Sequence, residues 1–373
     1  MVEKSISLRR SSLPLFDLDQ EFERQVIVDR EEGQYLGHVT QVLLHDQKTI
    51  LAVYPKGHGR GPIVLKRSTD GGQSWSERLP VPASWSTSRE CPTIYEMIDA
   101  AGKRRLGVFS GLYPIRLAIS EDEGLTWSEL ERIGDFGGIV AMSDVVALPE
   151  PGHYLAFFHD DGRFIQGGDN LHWGSPAGEN DGMRVYAVKS EDGGLTWGKP
   201  RVIIEHPQAM LCEAGAVWSP DGRQLALLLR ENSRAFNSMV SFSDDWGQSW
   251  TEPRQLPSSL TGDRHTARYV PDGRLVIAFR DMAKFSATKG DFVVWVGTYD
   301  DLRQGREGQY RLRLKTNYKG DDSTYPGVSV LPDGTVVATT YGHWTEGEEP
   351  YIISVRFSLN EIDSRLGTDP RSI

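Results

Sequence analysis

Short apolar runs separated by turn clusters recur along the chain, and a polar frame closes four of them. Ile63-Val-Leu65, Leu117-Ala-Ile119, Val185-Tyr-Ala-Val188 and Met239-Val-Ser-Phe242 each lead into Ser-x-Asp-x-Gly-x-(Ser/Thr)-Trp. The four frames are Ser68–Trp75, Ser120–Trp127, Ser190–Trp197 and Ser243–Trp250, and a polar, proline-containing stretch follows each. Self-similarity at about fifty residues predicts a propeller or solenoid. Asp and Gly supply hairpin-turn chemistry, the carboxylate accepting local N–H bonds and the glycine tolerating positive φ. The Trp is expected as a buried anchor, worth roughly 4–6 kcal/mol gross at about 25 cal/mol per Å². Folding alone is reason enough for such a frame, so its acidic residues are read as structural.

The frame ends a longer unit of strand, turn, second strand and third strand. His38, Glu90 and Glu213 each lie thirty residues before their frame serine, at Ser68, Ser120 and Ser243. Ser143 lies forty-seven before Ser190, so that unit carries seventeen extra residues within Asp161–Arg184, expected as a lid or binding loop. Two more units keep the first hairpin and lose the frame: Arg264–Arg280, with a degenerate Thr298-Tyr-Asp300, and Tyr325–Tyr341. The sixth unit has a third strand at Tyr351–Phe357 and no fourth, while Phe22–Val28 alternates like a strand without a unit. The prediction is an all-β, six-bladed propeller over residues 22–359, closed by the N-terminal strand so that no edge stays open. Residues 1–21 are expected as a flexible arm and 360–373 as a tail, with little helix anywhere.

A net charge of −11 argues against nucleic acid and anionic membranes as partners, though not against an anionic ligand held by a local arginine cluster. The two cysteines, Cys91 and Cys212, have no CxxC spacing, and no metal or other cofactor is indicated. No apolar run reaches membrane-spanning length. Met1–Arg10 lacks the apolar core of a signal peptide, so the expected location is cytoplasmic, or secreted or periplasmic had a leader been removed. A monomer or small homo-oligomer is expected.

Propeller geometry places the starts of first strands and the ends of second strands on one face. That gathers His38, Arg89, Glu90, Ser143, Asp144, Glu213, Arg264, His265 and Tyr325 with Lys56, His58, His159, Asp160, Asp161, Arg230, Arg280 and Tyr341–His343. The ring is richer in Arg, His and acid than a solvated rim requires. Plainer roles exist: Glu213 opposite Arg230 could be a satisfied ion pair, and Tyr325 an axial filler.

Six blades with these frames resemble the sialidase (neuraminidase) superfamily over residues 22 to 359. Glu213-Ala-Gly-Ala-Val-Trp-Ser-Pro-Asp-Gly through Arg230 resembles the segment in which a Glu precedes an Arg of the carboxylate-binding triad. Tyr325-Pro-Gly-Val-Ser-Val-Leu-Pro-Asp-Gly resembles the segment bearing the tyrosine nucleophile, with the Glu as its base. The chemistry suits a substrate whose anomeric carbon carries a carboxylate. A carboxylate nucleophile there would meet repulsion of roughly 4 kcal/mol at about 4 Å, close to a thousandfold in rate, which a phenol avoids. The chain also departs from the pattern. His38 stands where the first triad Arg is expected, Lys289-Gly-Asp291 where the third is, and Lys56–Pro62 has no Asp at the place of the acid/base catalyst. Arg280, Arg264, Arg116, Arg60 and Lys56 could rebuild an anion site, and Asp160 or Asp161 could supply the acid. The resemblance implies an exo-glycosidase releasing sialic acid or a related acidic sugar, with Tyr325, Glu213, Asp160 and Asp161 catalytic. Substrate contacts are expected from Arg230, Arg280, His38, Glu90, Arg264, His265, Lys56 and His159. Lyase or trans-sialidase-type chemistry on acidic glycans, or a non-catalytic carbohydrate-binding propeller, are the alternatives.

Overall fold

In the computed structural model, which describes residues 11–165 and 182–366, six sheets follow one another around an axis. Blade one has three strands, Thr40–Leu43, Ile50–Pro55 and Ile63–Ser68. Blades two, three and four have four each, beginning at Thr93–Ile98, Ile139–Ala147 and Leu211–Trp218. Blade five begins at Gly262–Tyr269 and blade six at Gly327–Val330. Middle strands are covered by neighbouring blades on both faces, so they are apolar without alternation: every residue of Ile50–Pro55 and of Leu275–Asp281 is buried. The core is accordingly a series of inter-blade layers rather than one centre.

The ring closes as expected. Gln25–Asp29 pairs antiparallel with Tyr351–Ser358, matching Gln25 to Val355 and Ile27 to Ile353. The strand starts later than predicted, because Phe22–Arg24 forms a 3-10 turn with Phe22 61 % exposed. Part of the expected arm is also structured: Leu15–Asp17 pairs parallel with Tyr310–Lys315 as a fifth strand of blade five. Leu18 is fully buried beside it, and Asp19 pairs with Lys315 at 3.0 Å. The expected tail opens with helix Leu359–Leu366, which buries Ile362 and pairs Asp363 with Arg274 at 2.7 Å. In blade five the degenerate frame is replaced by helix Tyr299–Gln304, capped reciprocally by Thr298 and Asp301.

The four frames are alike in detail. Asp122 Oδ1 accepts the Thr126 N–H at 2.9 Å, and the Gly124 N–H is donated to Ser120 Oγ at 2.8 Å. Asp70, Asp192 and Asp245 repeat this. The frame glycine also packs on the preceding blade: a Cβ at Gly124 would lie 2.5 Å from Leu51, and one at Gly247 2.4 Å from Leu155. Each frame is therefore a latch between blades as well as a turn. Only Trp197, at 8 % exposed, is buried as expected; Trp75, Trp127 and Trp250 are half-buried, with Trp127 and Trp250 tied to the frame glycine carbonyls. Their contribution is correspondingly smaller than full burial would give.

Deleting residues 1–30 removes the closing strand and the Arg24–Glu361 ion pair. The melting temperature, followed by circular dichroism, is expected to fall by about 10 °C or more. An unchanged value would refute closure by this strand.

Candidate active site

The inner strands open onto the axis through an unusual backbone. At their mouths His38, Val140, Glu213, Arg264 and Thr324 have φ of 55°, 48°, 47°, 55° and 57°, the left-handed region that side chains rarely adopt. In blades three, four and five the pairing register slips there, between Ile139 and Asp144, Cys212 and Gly215, and Asp263 and Thr266. Such bulges take a residue out of the ladder and re-aim its side chain. Glu213 and Arg264 are two of those residues. Gly215, just beyond, is required by close approach, since a Cβ would sit 2.1 Å from the His265 carbonyl of the next blade.

Both re-aimed side chains reach Tyr325, from blade six. The Tyr325 hydroxyl donates to Glu213 Oε1. Arg230 Nη1 donates to the same oxygen at 2.7 Å and lies 3.5 Å from the tyrosine oxygen. The Arg264 guanidinium stands 5.9 Å from the Tyr325 ring centroid. Burial, and then the Glu213 charge, push the Tyr325 phenol well above its ordinary value. The resting pair is thus a phenol donating to a carboxylate. The other carboxylate oxygen, Glu213 Oε2, is buried with no hydrogen-bond partner among the described residues. On the far side of Tyr325 the His38 ring packs edge-on at 4.4 Å, and Tyr341 stacks on His38 at 4.7 Å. His38 Nδ1 accepts the Gly59 N–H at 3.1 Å, and burial drives its pKa far below the usual imidazole value, so it is neutral.

A residue not anticipated from the sequence organises the arginines. Asp263, 0 % exposed, faces Arg230 Nε at 3.3 Å, Arg234 Nη1 at 2.6 Å and Arg280 Nη2 at 2.5 Å. Burial alone would raise its pKa; the charges of Arg280, Arg230 and Arg234 outweigh that and hold it well below the carboxylate range. Asp263 and Arg280 are seventeen residues apart, as are Glu213 and Arg230, and that spacing was the available signal. Arg230 and Arg264 thus face Tyr325 directly, and Asp263 ties Arg230 to Arg234 and Arg280.

The other expected residues divide. Glu90 is near the centre: its Oε1 accepts the Cys91 N–H at 2.9 Å, and burial raises its pKa. His159 is buried with Nδ1 3.4 Å from the Glu213 N–H, its pKa lowered by burial to about 4. Arg280 and Arg264 are close, but their guanidinium groups are also spent on the Ser323 and Ser143 carbonyls. The rest stand apart. Asp160 accepts the N–H groups of Gly162, Phe164 and Ile165 and so shapes its own loop, and Asp161 pairs with Arg163 at 2.7 Å. Lys56 turns outward to Glu31 at 2.9 Å. His265 points into the blade, stacked on Phe279 with Nε2 3.1 Å from the Leu260 carbonyl. Most of the expected lid, including Gln166–Gly178, lies outside the described residues. Among the described residues no cluster of three His, Cys, Asp or Glu could hold a metal ion, and no helix is long and apolar enough to cross a membrane.

Six blades, frames on the outer turns and an axial tyrosine facing glutamate and arginine define a propeller of the sialidase superfamily. The chain belongs to the family of BNR repeat-like domains, which matches residues 107–338, and is a divergent member of that superfamily. It is 26 % identical over 346 residues to a sialidase of Micromonospora viridifaciens, covering 84 % of this chain and 51 % of that one. It is 24 % identical over 251 residues to an anhydrosialidase of Macrobdella decora, covering 63 % of this chain and 30 % of the relative. The chain thus spans about half the length of the first relative and less of the second. In fold it matches a protein of unknown function from Dyadobacter fermentans with TM-score 0.68 at 14 % identity, over 89 % of this chain and 97 % of that chain.

Asp263→Asn leaves buried guanidinium groups short of their counter-charge and is expected to destabilise the fold by about 3–5 kcal/mol at neutral pH. Because the folded pKa of Asp263 is depressed, its stabilisation is complete above the ordinary carboxylate value and lost as pH falls below it. Urea midpoints of wild type and variant should therefore converge below about pH 4. A gap that stays constant down to about pH 3 would contradict an ionised Asp263 as the organiser.

Proposed function

We propose that the protein is an exo-glycoside hydrolase of the sialidase type, releasing a terminal sialic acid or a related acidic sugar. One observation carries this reading: the Tyr325 hydroxyl donates to Glu213, with Arg230 on the same carboxylate oxygen. A phenol alone is a poor nucleophile; a carboxylate already accepting its proton makes attack on the anomeric carbon possible without placing a second negative charge against the substrate carboxylate. Tyr325 would hold the glycosyl group until water releases it, Glu213 taking and then returning the phenol proton. Arg230, with Arg264, would hold the substrate carboxylate as planar, permanently charged donors, while Arg280, engaged by Asp263 and the Ser323 carbonyl, would add its charge from behind. His38, neutral, offers shape rather than charge where a further arginine is expected. The likeness to an anhydrosialidase supports a second reading, in which a hydroxyl of the bound sugar itself displaces Tyr325.

Tyr325→Phe removes the nucleophile and little volume, so the fold should persist while turnover of sialyllactose falls about a thousandfold or more. Glu213→Gln should match it, and the double variant should be scarcely worse than either, since the two act as one unit. Near-wild-type turnover by Tyr325→Phe would exclude the mechanism. Mass analysis of the released sugar separates the chemistries: free acid for the hydrolase, an anhydro sugar for intramolecular transfer, and an unsaturated, ultraviolet-absorbing product for a lyase.

A further inference from the structure

We infer that His58, facing Asp322, donates the proton to the leaving group, the role that no carboxylate of the loop Lys56–Pro62 takes. The inference rests on the glycosidase reading above. His58 lies in the connection between the second and third strands of blade one. That loop is fixed at its base, where the Lys56 N–H meets the Pro62 carbonyl at 2.9 Å, and beside His58, where Gly59 donates to His38. The His58 side chain is 67 % exposed. Its ring packs edge-on against His38 at 4.8 Å, and the same His38 ring meets Tyr325 at 4.4 Å. Donor and nucleophile therefore flank one neutral imidazole at the axial mouth.

Asp322 comes from a different place, the connection into blade six three residues before Tyr325. Its Oδ1 accepts the Tyr35 hydroxyl at 2.6 Å, has the Tyr341 hydroxyl at 3.5 Å, and lies 3.7 Å from His58 Nε2. Its Oδ2 faces His343 Nε2 at 3.1 Å. Asp322 Oδ1 is engaged by the Tyr35 hydroxyl and Oδ2 by His343, whereas the His58 ring stands open at the mouth, so the proton for the leaving group is assigned to an imidazole. His343 is buried, and its Nδ1 is occupied by the Glu348 carbonyl at 3.0 Å. His58 alone of the two opens to the mouth. Asp322 Oδ1 stands 3.7 Å from Nε2, a charge contact longer than a hydrogen bond, and Nδ1 is left for the substrate.

The proton balance closes. As Tyr325 Oη bonds to the anomeric carbon, the phenol proton passes to Glu213, the bond to the leaving oxygen breaks, and that oxygen takes the His58 Nδ1 proton. In the second step neutral His58 removes a proton from the attacking water, and Glu213 returns its proton to the departing phenoxide. Asp322 is a positioning residue, keeping the ring aimed in both steps.

The test uses the full chain with two substrates, 4-nitrophenyl α-sialoside, whose leaving group needs no proton, and sialyllactose, whose leaving group does. His58→Ala is expected to lower kcat on sialyllactose by about 10²–10⁴-fold and on the nitrophenyl substrate by less than about tenfold. Asp322→Asn should split the substrates in the same direction by a smaller factor, a pattern that loss of structure would not give. Because the His58 side chain is largely exposed, its removal should leave the melting temperature in place. Equal losses on both substrates, or none on either, would overturn the assignment. So would a split in Asp322→Asn with none in His58→Ala, which would make the carboxylate the donor. Tyr325→Phe should fail on both substrates alike. If the wild type cleaves neither sialoside, the glycosidase reading falls, and this assignment with it.

Discussion

Bringing six strand mouths to one axis demands a backbone that ordinary strands do not have, and the site follows from how the chain meets that demand. Five mouths turn through a left-handed residue other than glycine. Such conformations cost roughly 1–2 kcal/mol each and persist only where packing over-determines them. The inter-blade layers and frame latches provide that packing. In return, Glu213 and Arg264 leave their own sheets and face a tyrosine from another blade. A regular strand at either place would aim the side chain into a neighbouring blade instead.

The second requirement is electrostatic. Arginines drawn together at an axis repel, and an open cluster would be flexible. Asp263 resolves this from below, bridging Arg230, Arg234 and Arg280 while the pair Glu213–Tyr325 uses Arg230 from above. The guanidinium planes are then fixed before any ligand arrives, which is where preorganised charge differs from charge that must be gathered on binding.

Much of this was legible in the sequence for a simple reason: repeats convert spacing into position. Equal intervals from His38, Glu90 and Glu213 to their frames told which residues share a face, and Tyr325 followed from the unit without a frame. What spacing does not encode is where a side chain goes after it reaches the rim. Lys56, His265 and Asp160 all occupy mouth positions, yet Glu31, the Leu260 carbonyl and three loop N–H groups respectively take up their polar atoms. Asp263 was passed over for the converse reason, since its partners lie on two strands and a loop that only the bulged register brings together. The three-residue strand Leu15–Asp17 is too short to show periodicity, and the edge of blade five that fixes it is 296 residues away.

The two ends of the described chain meet on the outside of blades five and six. Arg24 binds Glu361 and Arg365 binds Glu21, so the turn before the closing strand and the last helix are clasped side by side. The blades consequently have a cyclic order but no privileged first member. Chain connectivity and ring connectivity differ at a single seam, held by the pairing of Gln25–Asp29 with Tyr351–Ser358, by these ion pairs and by the buried side chains Leu18 and Ile362. Joining the ends and reopening the chain at an exposed frame turn, such as that of Asp122, would move the seam to another blade interface while preserving every inter-blade layer. The geometry of the candidate site, which draws on blades one, four, five and six, belongs to the closed circle and not to the linear order in which it is written.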